Sequence, residues 1–252
     1  MATGFCRLLT IRQNAHKLHF HPSNAAMSLW INPHERDGDL AFLEAYLKEG
    51  DFVIDVGSNI GETVLVAAQA VGTGGRVVAF ERHPRTHAFL KGNLELNWIK
   101  NVDTHQIGVG DVHGTFGFTN DRREDLNRVT TEDPSLQVRL ERLDDLIIWN
   151  GRISLLKVDV EGYEKFVLLG APNILSRTDC VHFEVCESNF SVFNYTISDL
   201  LCLVSSYGFR IFRIVEPGLL ASVENNLRMA TCENLVGIRD VNELRSRTGW
   251  RL

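Results

Sequence analysis

The sequence lacks several features that define large classes of proteins. It contains no uninterrupted run of the roughly 18 apolar residues that a membrane-spanning helix requires. It has no excess of basic side chains, since 26 Lys and Arg are outnumbered by 32 Asp and Glu and the formal net charge is −6. A protein that binds nucleic acid through a basic surface is therefore not expected.

Cysteine is scarce and unpaired in the sequence. The five cysteines are scattered and no two stand in a C-x-x-C pair, which predicts free thiols in a reducing compartment. The N-terminus has no apolar leader segment because Arg7 and Arg12 interrupt it, so a cytoplasmic protein is expected. Residues 1–34 contain no Asp or Glu, a bias shared with transit peptides, and a targeting signal there stays an open alternative.

What is present is the composition and the pattern of an α/β domain. The 252 residues are 44% hydrophobic and 23% charged, as in globular proteins. Short apolar strands alternate with amphipathic helices, which predicts a mostly parallel sheet covered by helices on both faces. The expected strands are 52–56, 76–81, 102–109, 153–160, 180–185, 209–215 and 234–239, with helices at 39–49, 62–71, 85–97, 163–170 and 196–206. We expect one domain over 39–252, preceded by an extension over 1–38.

The strongest local motif is DVGSNIG at 55–61, between the first of these strands and its helix. A tight turn without Cβ atoms lets the backbone approach a ligand at a helix N-terminus. The spacing D-x-G-x-x-x-G departs from the dinucleotide pattern G-x-G-x-x-G. An acid beside the turn suits a ligand with a cationic amino group, such as the methionine end of S-adenosylmethionine.

Carboxylates follow the later strands. Glu81 ends the second strand, where an acid can accept hydrogen bonds from both hydroxyls of a ribose. In LLKVDVEGYE at 155–164, alternation places Lys157, Asp159 and Glu161 on one side of the strand. His182 and Glu184 share a side of the next strand. Asp159, Glu161 and Glu184 are thus expected at one crevice, where clustered carboxylates serve a general base or hold a hard cation.

These strings resemble the FkbM family of S-adenosylmethionine-dependent methyltransferases. The resemblance covers roughly residues 40–190, and KVDVEGYE is its most specific part; the other strings are DVGSNIG, FERHP (80–84), RLDDL (142–146) and HFEV (182–185). It implies the class I methyltransferase fold, a Rossmann-like, seven-stranded sheet with one antiparallel strand. It also implies methyl transfer to a hydroxyl of a sugar, glycan or other small metabolite.

The resemblance assigns roles to particular residues. Asp55, Gly57, Asn59 and Gly61 would line the methionine end of the cofactor, Glu81 would hold the ribose, and Asp111 would contact the adenine. Deprotonation of the acceptor is expected from Glu161, then Asp159, then His182. If Asp159, Glu161 and Glu184 converge, Mg²⁺ could activate a pair of sugar hydroxyls.

Other interpretations remain open at this point. The same glycine turn and Glu81 could serve an NAD(P)-dependent oxidoreductase, although no hydride-transfer pair is evident. A cofactor-binding module without catalysis is a further alternative. Substrate choice is expected from residues 1–38 and from the loop over 119–136, whose Arg122, Arg123 and Arg128 could meet an anionic acceptor. The oligomeric state and the acceptor itself are not encoded in any motif.

Overall fold

The computed structural model describes residues 9–13, 15–21, 23–34, 36–118, 136–224, 227 and 231–252. Its centre is an eight-stranded sheet in the order β12-β11-β13-β10-β9-β3-β4-β5. These strands are β3 (Phe52–Val56), β4 (Arg76–Phe80), β5 (Val102–His105), β9 (Ile153–Val158), β10 (Thr178–Val185), β11 (Arg210–Glu216), β12 (Leu219–Ser222) and β13 (Glu233–Ile238). The predicted α/β class is confirmed.

The strands β3, β4, β5, β9 and β10 are mutually parallel, and β13 runs antiparallel between β10 and β11. The sheet has eight strands instead of the expected seven because β12 returns from β11 as an antiparallel hairpin. Every residue of β3 and β9 is buried, since helices cover both faces. Open sheets of this kind bind ligands at the carboxyl ends of their parallel strands.

The helices are α1 (Asn24–Ile31), α2 (Asp37–Tyr46), α3 (Glu62–Val71), α4 (Pro84–Leu96), α5 (Leu143–Leu146), α6 (Glu164–Leu169), α7 (Pro172–Ser176), α8 (Glu187–Ser191), α9 (Ile197–Ser206) and α10 (Val241–Thr248). Helix α3 begins after Gly61, which has a φ of 94°, and α9 begins with a capping box between Thr196 and Asp199. Two apolar clusters, one on each face of the sheet, form the core.

The expected third strand over 102–109 divides into two elements. After β5 the chain leaves the main sheet and enters a three-stranded sheet of β6 (Gly108–Gly110), β7 (Gly114–Phe118) and β8 (Leu136–Arg142). The two residues between β5 and β6 carry the change of direction. The loop arginines Arg122, Arg123 and Arg128 lie outside the described residues.

The N-terminal part packs onto the α/β layers. The hairpin of β1 (Thr10–Gln13) and β2 (His16–His19) lies on α4, where Asn93 and Asn97 accept hydrogen bonds from the amides of His19 and Lys17 at 2.8 and 2.9 Å. Helix α2 packs on α3. The segment before residue 39 therefore shares an interface with the helices that carry the cofactor-type motifs.

Two further observations concern expectations from the sequence. Cys186, after β10, and Cys232, before β13, form a disulfide. The expectation of free thiols is therefore wrong for this pair. The cysteines then no longer support the expectation of a reducing compartment. Cys180 is a buried free thiol and Cys202 an exposed one. Among the described residues, no helix has both the length and the apolar character that crossing a bilayer requires.

Candidate active site

The turn at residues 57–61 forms the floor of the site, and its conformation requires glycine. Gly57 has a φ of 82°, and a Cβ on it would lie 1.7 Å from the carbonyl oxygen of Asp159. A Cβ on Gly61, with a φ of 94°, would lie 2.5 Å from a methyl carbon of Leu90. The turn thus lies against the end of the neighbouring strand β9.

Asp55 and Lys157 are paired beneath this turn. They occupy adjacent positions on the parallel strands β3 and β9, and the Lys157 Nζ lies 3.1 Å from an Asp55 carboxylate oxygen and donates to the Gly57 carbonyl at 3.1 Å. Thr63 donates to the other Asp55 oxygen at 2.6 Å. Burial alone would lower the pKa of Lys157, but the charges of Asp55 and Asp159 outweigh it and raise that pKa. The pair therefore holds the turn in place.

Glu81 follows β4 and faces the same turn. One of its carboxylate oxygens accepts the Asn59 amide at 3.0 Å, and the other accepts the His83 amide at 2.8 Å. Asn59 itself has a φ of 48°, and its side-chain oxygen is buried without a hydrogen-bond partner among the described residues. Glu81 thus connects the ends of β3 and β4 while retaining further lone pairs for a ligand.

Asp159, at the end of β9, is held by two cations. The Arg36 guanidinium donates to its carboxylate at 3.0 Å and the Lys157 Nζ lies at 3.6 Å. Burial would raise the pKa of Asp159, but Lys157 and Arg36 hold it at about 2. Arg36 also lies 3.8 Å from Glu62 and 3.9 Å from Asp39, and these carboxylates keep the pKa of the buried guanidinium above its usual range.

Asp39, on α2, is the centre of a second group of contacts. The fully buried His182 ring contacts one of its oxygens at 3.1 Å, and the Asn234 amide donates to the other at 2.7 Å. Burial would raise the pKa of Asp39, but the hydrogen bond from His182 and the charges around it lower that pKa. Arg36 and Asp39 gave no signal in the sequence, since neither belongs to a motif.

Glu161 and Glu184 complete the carboxylates at this edge. Glu161 lies in a tight turn with a φ of 58° and accepts a hydrogen bond from Asn189 at 3.3 Å. Glu184, near the end of β10, has one carboxylate oxygen that is buried and without a hydrogen-bond partner among the described residues. Burial, and then the charges of Asp159, Glu161 and Glu164, raise the pKa of Glu184 well above its usual value.

A cavity of about 460 Å³ joins these groups. Its lining includes residues that follow β3 and β4, namely Gly57, Asn59, Glu81, Arg82 and His83. It also includes Arg36, Asp39, Asp159, Glu161, Glu184, Ile214, Cys232, Glu233 and Asn234. Beside it lies an apolar recess of about 20 Å³ between Ile107, Val109, Tyr163 and Phe193, which shares Gly57 and Arg82 with the larger cavity.

The structure brings most, but not all, of the predicted residues to this cavity. Gly57, Asn59, Glu81, Asp159, Glu161 and Glu184 line it. Asp55 faces Lys157 beneath the turn, Gly61 packs on Leu90, and His182 lies under Asp39, so none of the three lines the cavity. Asp111 follows β6 and also lies outside the cavity wall.

The expected magnesium site is not supported. Within the described ranges, no group of three or more His, Cys, Asp or Glu side chains is placed to hold a metal ion. Asp159 is bound instead by Arg36 and Lys157, so its carboxylate is already neutralised by cations. Asp159, Glu161 and Glu184 therefore share a cavity without forming a set of metal ligands.

A mostly parallel sheet with a glycine turn after β3, an acid after β4 and a polar cavity at the carboxyl edge defines a class I methyltransferase. A solved structure with the same fold is designated a putative rRNA-methylase from Clostridium thermocellum; it is 12% identical, with a TM-score of 0.52, over 80% of this chain and 93% of that chain. A S-adenosylmethionine-dependent methyltransferase from Aquifex aeolicus is 15% identical, with a TM-score of 0.49, over 88% of this chain and 100% of that chain.

The sequence comparisons give the family. The profile of the Methyltransferase FkbM domain matches residues 55–211, and the chain belongs to the FkbM family of S-adenosylmethionine-dependent methyltransferases. "Methyltransferase 1" of Beauveria bassiana is 28% identical over an alignment of 176 positions, which covers 60% of this chain and 70% of that protein. The alternative of an NAD(P)-dependent oxidoreductase is thereby set aside.

Proposed function

We propose that this protein transfers a methyl group from S-adenosylmethionine to a hydroxyl oxygen of a sugar, glycan or other small metabolite. The observation that carries the proposal is the composition of the cavity: the lining that includes Gly57 also presents Glu161 and Glu184. A hydroxyl is a weak nucleophile until its proton is taken, and a carboxylate within hydrogen-bond reach serves that purpose.

The cavity residues that follow β3 and β4 fit S-adenosylmethionine. Gly57 leaves open the space that a Cβ would fill, and the unpartnered Asn59 oxygen can accept a hydrogen bond from the ammonium group of the cofactor. Glu81 can accept from the ribose hydroxyls with the lone pairs that its two amide contacts leave. Apolar side chains of the adjoining recess, such as Ile107 and Tyr163, can contact one edge of the adenine. When bound, the cofactor supplies a methyl group on a positively charged sulfur.

Within this scheme Asp159 is a poor base, because Arg36 and Lys157 keep its pKa at about 2. Its proposed role is structural: it holds Arg36 and Lys157 in place beside the Gly57 turn. His182 is proposed to position Asp39 and not to meet the acceptor, since it is fully buried beneath that carboxylate. Methyl transfer itself is mainly a matter of aligning three atoms.

The experiment is a turnover assay that measures formation of S-adenosylhomocysteine. The acceptors are a mixed pool of sugars and hydroxylated metabolites and the same pool after exhaustive acetylation, which removes free hydroxyls. The proposal predicts product with the free pool and a return to background with the acetylated pool. Equal turnover with both pools contradicts hydroxyl transfer. Cofactor binding without turnover on either pool would instead support a binding module that has lost catalysis.

A further inference from the structure

Two side-chain oxygen atoms in the lining of the cavity are buried and have no hydrogen-bond partner in the described part of the chain. They are the Oε2 of Glu184 and the Oδ1 of Asn234, and both side chains line the cavity. A buried acceptor without a partner has lost its hydrogen bonds to water and gained none in return. Such atoms therefore mark positions where a ligand supplies the missing donors.

The two residues stand side by side. Glu184 on β10 and Asn234 on β13 are directly opposite in the antiparallel register, so their Cβ atoms lie about 4.5–5.5 Å apart on one face of the sheet. The orientation of the Asn234 amide is fixed because its nitrogen donates to the Asp39 carboxylate at 2.7 Å, and a carboxylate only accepts. The Asn234 side-chain atom left for a ligand is therefore the oxygen Oδ1, which accepts hydrogen bonds.

The surrounding charges also favour donors over anions. The negative charges of Asp159, Glu161 and Glu164 act on Glu184, and the positive charge of Arg36 opposes them. The Arg36 guanidinium is already in contact with Asp159, and the nearby Glu233 is paired with Arg213 at 2.6 Å. A negatively charged acceptor would add to this negative potential, whereas a hydroxyl or an ammonium group would relieve it.

Resting on the function proposed above, we infer that the acceptor carries two adjacent hydrogen-bond donors, as in a vicinal diol or an amino alcohol. The reacting hydroxyl donates to Glu184, and the neighbouring hydroxyl or ammonium group donates to Asn234. Two side chains that are neighbours on one face of the sheet can each accept one of the two donors of the same ligand. Glu184 is thereby the proton acceptor of the reaction, and Asn234 selects the substrate.

The reaction balances with these groups alone. The acceptor oxygen forms a bond to the methyl carbon while the bond between that carbon and sulfur breaks. The electron pair of the broken bond stays on sulfur, which becomes neutral, and the hydroxyl proton passes to the Glu184 carboxylate. No oxidant, metal ion or further reactant is consumed.

Three matched ring compounds test the inference: cis-1,2-cyclohexanediol, cis-2-aminocyclohexanol and cyclohexanol, which has a single donor. Their binding to the protein saturated with S-adenosylhomocysteine is measured by calorimetry, and their methylation is followed with S-adenosylmethionine. At least one two-donor compound should exceed cyclohexanol by tenfold or more in both affinity and kcat/KM. Comparing the diol with the amino alcohol then shows whether the second donor is a hydroxyl or an ammonium group.

Two variants assign the effect to the named residues. Asn234→Ala should bring the two-donor advantage close to unity, and Glu184→Gln should lower kcat by about a hundredfold or more. The control Glu216→Gln removes a carboxylate at the exposed end of β11, and it should behave as wild type. No advantage for either two-donor compound, or full kcat in Glu184→Gln, overturns the inference. If the wild-type protein does not bind S-adenosylhomocysteine, the result contradicts the proposed function instead.

Discussion

The Arg36 guanidinium donates to the Asp159 carboxylate at 3.0 Å across a sequence separation of 123 residues. Arg36 precedes α2 and Asp159 directly follows β9. The contact therefore joins the N-terminal part of the chain to the strand that carries the most family-specific motif.

Replacing Arg36 by Met should destabilise the protein by about 1–2 kcal/mol at pH 7, because it leaves the partly buried Asp159 with one cation fewer. Urea denaturation of the wild type, Arg36→Met and Arg36→Lys measures the effect, and Lys should recover part of the loss. The folded-state pKa of Asp159, about 2, lies below its value of 3.8 in the unfolded chain. This stabilisation is thus present above pH 4 and is lost as the pH falls towards 2. Equal stability of Arg36→Met and wild type would show that the contact contributes nothing.

Glu164 should make the protein less stable as the pH rises. Burial raises its pKa to about 7, although the amides of Val160 and Gly162 donate to it. The unfolded chain releases this proton near pH 4.5 and the folded chain near pH 7, so the free energy of unfolding should fall by about 3 kcal/mol between those values. Glu164→Gln should flatten this part of the profile in denaturation experiments from pH 4 to pH 8. A variant with the wild-type slope would contradict the assignment.

Glu81→Ala should weaken S-adenosylmethionine binding at least tenfold, which corresponds to about 1.4 kcal/mol. The substitution removes the ribose contact and also frees the amides of Asn59 and His83. Calorimetric titration measures the affinity, and denaturation of the same sample measures the loss of turn contacts separately. Glu95→Ala, an exposed carboxylate on α4, is the control with unchanged affinity. Wild-type affinity in Glu81→Ala would remove Glu81 from the cofactor site.

Gly57→Ala should be far more harmful than alanine at another glycine with a similar backbone conformation. Its Cβ would meet the Asp159 carbonyl at 1.7 Å, which requires one of two packed strands to move, at about 4 kcal/mol or more. Gly218 has a φ of 94° and no atom within 4 Å of its Cβ position, so Gly218→Ala should cost only about 1 kcal/mol. Thermal unfolding of both variants makes the comparison. Equal losses would show that the conformation, and not the close approach, requires glycine at position 57.

The sequence predicted the elements whose pattern is local. Helix α3 was predicted over 62–71 and lies there. Six strands of the central sheet, β3, β4, β9, β10, β11 and β13, were placed within about two residues because their buried runs are bounded by turn residues. The end of β5 was placed four residues too late. The strands β1, β7, β8 and β12 and helix α10 were missed, since their short segments carry a weak period. The alternation over 17–21 indicates a short strand, and β2 overlaps it. The point after His105 at which the chain leaves the central sheet for the three-stranded sheet depends on tertiary packing.

The candidate site was predicted where motif and strand order coincide. Gly57, Glu81, Asp159, Glu161 and Glu184 come to one cavity because parallel strands end at the same edge. Arg36, Asp39 and Asn234 could not be found, because they reach the cavity through packing of α2 and β13 and belong to no motif. The ion pair between Asp55 and Lys157 likewise depends on the register between β3 and β9.

The most direct test of the account follows the methyl group itself. The protein is incubated with S-adenosylmethionine labelled with ¹³C in the methyl group and with the hydroxylated acceptor pool, and the products are examined by carbon NMR, which separates methyl groups on oxygen from those on nitrogen or carbon. The account predicts a labelled methyl ether that disappears in Glu184→Gln. Label found only on nitrogen or carbon would contradict transfer to a hydroxyl oxygen.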